Sequence, residues 1–251
     1  MPYNADFRLS ITRALRDQLA DSIEALSPAA LTSSNIGNLD ARPGVYQLYH
    51  YGDLVYIGKA DGSLPSRLRE HHVKILGRTK ISLQDMSFTC LYVEEDLSAV
   101  APETLLIQRH RGAGEVPWNY NGFGNHDPGK QRDTTTVRGD HFDALYPIDL
   151  RFPCGQVEMI SPTVRDVLTH LRSSLPYTFR HEGNRQAVAR QPAEFGLPCP
   201  LPNRNHTTAD DLFSALAAAL PPGWQITALP GYVIMYKEQR AYASTLQTYR
   251  S

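Results

Sequence analysis

Two tyrosines ten residues apart, Tyr46 and Tyr56, are followed along the chain by Arg67, His71, Glu103 and Asn119. Hydrolysis of a phosphodiester needs an activated water, stabilisation of extra negative charge on phosphorus, and help for the departing oxygen. A phenol, a cation, a metal-binding carboxylate and an oriented amide meet those needs. Arg67 and His71 are spaced i,i+4, so on a helix they leave one face and can converge on a single phosphate. The arginine fork suits two phosphate oxygens, and the imidazole can orient water or donate a hydrogen bond. Glu103 follows Pro102 in the first turn of an expected helix, where the dipole favours an ionised carboxylate. A lone carboxylate leaves most coordination positions to water and phosphate, which is how magnesium is usually held. A free phenol has a pKa of about 10, so a tyrosine base must be helped by a neighbouring cation or metal-bound water. Lys59, three residues beyond Tyr56, is a candidate for that help.

The elements that must position these groups are legible in outline. Apolar positions over 6–27 repeat with helical spacing up to Pro28, and 28–43 has the Ser, Asn, Gly and Pro content of a linker. Residues 43–58 carry valine, tyrosine and leucine on both sides of Tyr51-Gly52-Asp53, the pattern of a hairpin. For both tyrosines to face one side, paired positions must sum to 104; a two- or four-residue loop gives 103 and opposite faces. A helix follows Ser63 over 63–76, a strand covers 88–93, and a second helix starts at Pro102. Residues 112–140 form a long glycine-rich loop, a length usually tied to function or disorder. Beyond 155, helices near 162–175 and 208–219 and strands near 224–228 and 231–237 mark a further unit. The expected division is an N-terminal helix and linker (1–42), a catalytic domain (43–154) and a smaller C-terminal α/β unit (155–251).

Taken singly, each residue has an ordinary explanation. Tyrosine is favoured in strands, a first-turn glutamate is common, and Arg67 with Glu70 or His71 fits a solvated helix face. Gly122, Gly124 and Gly129 fit plain turns. What these explanations leave open is why all six residues occur in this order.

Composition bounds the alternatives. The 251 residues are 41% hydrophobic and 20% charged, with net charge -1, so a surface basic all over is excluded and any phosphate-binding face must be local. Residues 59–80 hold six cations against two acids, whereas 1–40 hold three against five. Arg180, Arg185 and Arg190 lie in a stretch with glycine and asparagine, and arginines are the usual readers of guanine edges. No run approaches the roughly 20 apolar residues of a membrane helix, and no secretory pattern opens the chain, so a cytoplasmic protein is expected. Three distant cysteines and nine histidines without close metal-ligand spacing favour neither disulfides nor zinc.

Gly44-Val45-Tyr46, then Tyr56-Ile57-Gly58, Arg67, His71, Glu103 and Asn119, resemble the signature of the GIY-YIG nuclease superfamily, with valine in place of the first isoleucine. The resemblance covers 43 to about 122. The run Asn121-Gly122-Phe123-Gly124-Asn125-His126-Asp127-Pro128-Gly129 and the segment Phe142-Asp143-Ala144-Leu145-Tyr146-Pro147 resemble its restriction-endonuclease branch that cuts CCGCGG. The resemblance implies an α+β fold with a small antiparallel or mixed sheet flanked by helices. It implies Tyr46 as general base, a catalytic set of Tyr46, Tyr56, Arg67, His71, Glu103 and Asn119, and Mg2+ or Mn2+ on Glu103. Asn121 rivals Asn119, because Gly112-Ala113-Gly114 lengthens the spacing. The partner is double-stranded DNA, contacted by Lys59, Lys74, Asn121, Asn125, His126, Lys130, Arg132, Arg180, Arg185 and Arg190. Cutting both strands of a palindrome implies a homodimer or larger symmetric assembly, and a bacterial restriction system adds a cognate DNA methyltransferase. The competing expectations are a repair or mobile-element nuclease on the same fold, and a non-catalytic DNA-binding regulator.

Overall fold

The computed structural model describes residues 3, 11–93, 102–110, 116–124, 129–130, 133–155, 157, 161–183, 186–201 and 207–251. The chain forms two compact units, Met1–His72 with Leu83–Gly124, and Val73–Ser82 with Asn125–Ser251. The division therefore lies near 124 rather than 155, and the second unit holds more of the chain than the first. The physical reason is a set of bonds that ties 77–79 to the segment around 143–149. Thr79 N donates to the Pro147 carbonyl, and Asp149 N donates to Gly77. The buried Arg78 guanidinium pairs with Asp143 at 2.8 Å and donates to the carbonyls of Tyr146 and Pro230. Arg78 is thus a folding residue, and one cation of the 59–80 run is lost to the surface.

In the first unit an antiparallel sheet has the order β1-β4-β2-β3, with β1 Ala29–Ala30, β2 Gly44–His50, β3 Asp53–Ala60 and β4 Met86–Tyr92. The expected linker over 28–43 contains β1 and a short helix, α2 (Ser33–Gly37), capped by Thr32. Two residues of strand are too few to show a period. Helix α1 (Ile11–Glu24) and helix α4 (Pro102–His110) cover one sheet face, where Ala20, Ile23, Val45, Ile57, Leu106 and Val116 form a buried cluster. Helix α3 (Leu64–Leu76) begins after Ser63, whose hydroxyl accepts from Ser66 N. Its Leu64 and Leu68 are buried, and Leu64 lies close against Gly44 of β2.

The β2-β3 hairpin turns on Tyr51 and Gly52, both at positive φ (53° and 87°), the two-residue turn that matches strand twist. At the turn the pairs are His50 with Asp53 and Tyr49 with Leu54, the register that would send the two tyrosines to opposite faces. A register shift between Leu48 and Tyr49 accommodates Val55 as an extra residue in β3. Beyond it Leu48 pairs with Tyr56 and Tyr46 with Gly58, so both tyrosines face the α3 side. One bulge residue therefore sets the geometry that a two-residue turn alone forbids.

The second unit has a mixed sheet of order β5-β7-β6-β8, with β5 (Thr178–His181) parallel to β7 (Tyr232–Lys237), and β6 (Trp224–Ala228) antiparallel to β7 and to β8 (Gln247–Arg250). Helix α5 is the single turn Phe142–Leu145. Helices α6 (Val164–Ser174) and α7 (Ala209–Ala219) both start with a Thr/Asp capping box and pack Leu171, Phe213 and Leu216 against Phe179, Ile226 and Val233. The α+β class holds, with two small sheets flanked by helices. Strands β5 and β8 were not expected from the sequence.

Candidate active site

Strand β2 delivers Tyr46, strand β3 delivers Tyr56, and α3 delivers Arg67 and His71 to the same sheet face. Tyr46 is fully buried, and its hydroxyl lies 2.6 Å from Nε2 of His71. The tyrosine rings are 6.1 Å apart, and each lies 5.5 Å from the imidazole. Arg67 acts electrostatically on both phenols, and its Nη1 donates to Glu70 at 2.5 Å.

Two glycines make this packing possible. A Cβ on Gly58 would lie 2.2 Å from the Tyr46 hydroxyl oxygen and 2.8 Å from the Tyr56 ring. On Gly124 it would lie 2.7 Å from the Tyr56 hydroxyl. Gly122 and Gly129 have positive φ and fit turns as expected, whereas Gly124 is required by the close approach of Tyr56.

The segment after α4 closes around the site. Phe123 stacks on His71 with centroids 4.8 Å apart and meets Tyr56 edge-on at 4.9 Å, and Trp118 backs Phe123. Asn119 holds this segment to the sheet edge: Oδ1 accepts from Ile57 N at 2.9 Å, and Nδ2 donates to Ile57 O at 2.8 Å. Its amide imitates a neighbouring strand for β3, which makes Asn119 a positioning residue in this geometry. Asn121 is buried, and its Oδ1 accepts from Phe123 N at 3.4 Å. The sequence reading attached no role to Phe123, Trp118 or Gly58. Gly58, as the last letter of the second triplet, and Phe123, inside the 121–129 run, carried a signal, and Trp118 carried none.

Electrostatics follow from burial. Desolvation, then Tyr56, pushes Tyr46 well above the ordinary tyrosine range, against the opposing pull of Arg67. Burial raises Tyr56 as well, with Glu103 next in effect. Burial opposes the charge on Arg67, but the tyrosines and Glu70 outweigh it and leave the guanidinium above its usual value. Glu103 also stands above its usual value, because burial outweighs the attraction of Arg67 and Lys59, and Asp61 adds repulsion. Burial therefore outweighs the first-turn preference for an ionised Glu103.

Lys59 is not the cation beside the tyrosines. Strand alternation puts it opposite Val45, on the face away from Tyr46 and Tyr56, and it pairs with Asp61 at 3.0 Å. Arg67 occupies that place. The remaining sequence candidates belong to the second unit or lie outside the described residues. Lys74 is half-buried with its ammonium 5.4 Å from the Phe142 ring centre, and Lys130 is exposed, 4.4 Å from that of Tyr236. Arg190 is exposed at the end of a single turn, Val188–Arg190.

Arg180 is not on the surface, where a reader of DNA bases must be. It is buried on β5, where Nη2 donates to Asp133 at 2.5 Å and Nη1 to the Tyr236 hydroxyl at 3.2 Å, so its fork is spent inside the protein. Asn125, His126, Arg132 and Arg185 lie outside the described residues.

Residues 53–149 match the family model described as the Eco29kI GIY-YIG domain. None of the curated proteins matches the chain. The match supports a GIY-YIG nuclease domain, hence an endonuclease with DNA as its substrate. It begins at β3, so Tyr46 is tied to the matched region by the pairing of β2 with β3. Among the described residues no helix is long and apolar enough to cross a membrane.

Proposed function

We propose that the protein is a sequence-specific double-strand DNA endonuclease of the restriction type, acting in a bacterial cytoplasm alongside a methyltransferase for the same site. The observation that carries the reading is the convergence of the Tyr46 hydroxyl, Nε2 of His71 and the Arg67 guanidinium on one sheet face, with Glu103 acting electrostatically on both tyrosines.

Tyr46 has the geometry of a proton relay. A phenol this far above its ordinary pKa does not hold a standing negative charge, so its own proton must leave as it takes one from water. An unprotonated Nε2 of His71 at 2.6 Å accepts that proton from the Tyr46 hydroxyl. Stacked on Phe123, the imidazole is fixed in the orientation this transfer needs. Arg67 stabilises negative charge on the phosphate and on the phenolic oxygens in turn. Tyr56 adds a second electrostatic partner for the guanidinium.

Glu103 fits a hard divalent cation such as Mg2+ or Mn2+. It is a single oxygen donor, half-buried, and its charge is opposed by burial and by Asp61, so a cation would relieve a real electrostatic cost. A bound Mg2+ would supply charge for the phosphate and the departing 3′ oxygen.

Cleavage of both strands calls for two such sites and hence a symmetric dimer or larger assembly. Base reading is assigned to the loop residues Asn125, His126, Lys130 and Arg132 and to Arg185 and Arg190, with Lys59 and Lys74 contacting the backbone. The resemblance to the CCGCGG-cutting branch makes that sequence the first to test. Digestion of plasmid DNA with and without Mg2+, followed by sequencing of the ends, is the direct assay. Discrete fragments sharing one terminal sequence support the reading. Cutting only at branched DNA favours a repair enzyme, and no cutting at all favours a DNA-binding regulator.

A further inference from the structure

Helix α3 presents Arg67 and Glu70 one turn apart, and Nη1 of Arg67 lies 2.5 Å from Oε2 of Glu70. The Arg67 side chain is 23% exposed and that of Glu70 is 61% exposed. Glu70 therefore meets the guanidinium from its more exposed side, while the buried Tyr46 and Tyr56 interact with it electrostatically. That exposed side is the approach open to a phosphate. A carboxylate and a phosphate offer an arginine the same kind of charged oxygen, so Glu70, through Oε2 on Nη1, occupies a donor position that a phosphate oxygen would take.

An exposed pair of this kind contributes little to folding, so stability is a poor reason for its presence. Its effect on binding is larger. A phosphate arriving at Arg67 meets the negative charge of Glu70 at close range, and the two anions cannot share the same donor without repulsion.

We propose that Glu70 is a substrate-displaced partner of Arg67, a positioning residue that holds the guanidinium in place between substrates and yields to the scissile phosphate. The proposal rests on the assignment of Arg67 to phosphate. Glu70 keeps the site from holding backbone phosphate indiscriminately, because every phosphate must first break the pair.

Salt dependence tests this in the full-length protein, on a duplex carrying CCGCGG, without divalent cation so that nothing is cut. In the wild type Arg67 exchanges one protein anion for a DNA phosphate. In Glu70→Gln it is met by a solution anion, which leaves when DNA binds. The slope of log K against log salt should steepen by roughly one ion, with binding about 3- to 10-fold tighter at low salt. Asp53→Asn, an exposed acid at the hairpin, controls for the change in net charge. In Glu70→Gln combined with Arg67→Gln the gain should vanish. If Glu70→Gln behaves as Asp53→Asn does, or the gain survives the loss of Arg67, the inference about Glu70 is overturned while Arg67 can still bind phosphate. If Arg67→Gln alone binds DNA as tightly as the wild type, the assignment of Arg67 falls and takes the Glu70 inference with it.

Discussion

The phenol of Tyr46 lies across Gly58, in the space that a side chain at that position would fill. The two residues are paired across β2 and β3, so the ring of one strand passes over the bare backbone of the next. The last glycine of the Tyr56-Ile57-Gly58 triplet is therefore required by the first tyrosine.

Gly58→Ala tests that relationship. The new methyl would collide with the Tyr46 hydroxyl and ring, neither of which can yield without losing the bond to His71. Overpacking of this kind costs about 1 to 3 kcal/mol, and displacement of a proton-transfer group should lower cleavage by roughly 10²-fold or more. Chemical denaturation and cleavage rates measure the two effects. A variant as stable and as active as the wild type would show that Tyr46 can act from another position.

Glu103 gives a prediction of opposite sign for stability and activity. Burial raises its pKa in the folded protein, so between the ordinary glutamate value and the raised one the folded state holds the extra proton. Stability falls as pH rises through that window, and the whole cost is present above the raised value. In chelator at neutral pH, Glu103→Gln should melt slightly higher than the wild type while its cleavage in Mg2+ is abolished. The difference in Tm should disappear at acidic pH below both values. A variant that melts lower at neutral pH would mean that the carboxylate is stabilised by the fold.

Asn119 and Asn121 can be separated by what each amide holds. Asn119→Ala leaves Ile57 N and O without their partner at the sheet edge, which should cost about 1 to 3 kcal/mol and reduce activity through β3. Asn119→Asp retains the acceptor for Ile57 N and sets a carboxylate against Ile57 O, so it should be no better than alanine. Asn121→Ala loses one long bond to Phe123 N and should cost less. Unfolding free energies of the three variants check the order.

Much of this site was legible because catalysis confines residue type and spacing. The i,i+4 separation of Arg67 and His71 requires a helix, and Ser63 marks its start. The hairpin was legible from its turn residues, but not the bulge: nothing in the residue types marks Val55 as the extra one, and that residue sets the facing of Tyr56. Strand β1 is too short to have a period, and β5 is hidden because Arg180 and His181 do not look like buried strand residues. The residue types around Phe123 give it no role, since its stacking on His71 depends on the path of the chain after Asn119. Partners brought together only by folding also explain why Arg180 looked like a surface arginine.

Arg180→Ala should therefore behave as a folding variant. It leaves Asp133 buried without its partner, a change that costs about 3 to 5 kcal/mol when a buried ion pair is broken. Asp133 also accepts from the Tyr232 hydroxyl at 2.9 Å, a bond too weak to replace the cation. Thermal denaturation should show a strongly lowered Tm. A variant that melts normally and cuts at altered sites would restore Arg180 as a base reader.

In the proposed mechanism the hydroxyl of Tyr46 moves the proton that activates water. Single-turnover cleavage of a duplex carrying the site identified by end sequencing, compared between the wild type and Tyr46→Phe in saturating Mg2+, tests it most directly. The substitution keeps the buried ring and removes only the oxygen bonded to His71. The expected rate is lower by roughly 10²-fold or more, with DNA affinity unchanged. Cleavage by Tyr46→Phe within a few-fold of the wild-type rate would contradict it.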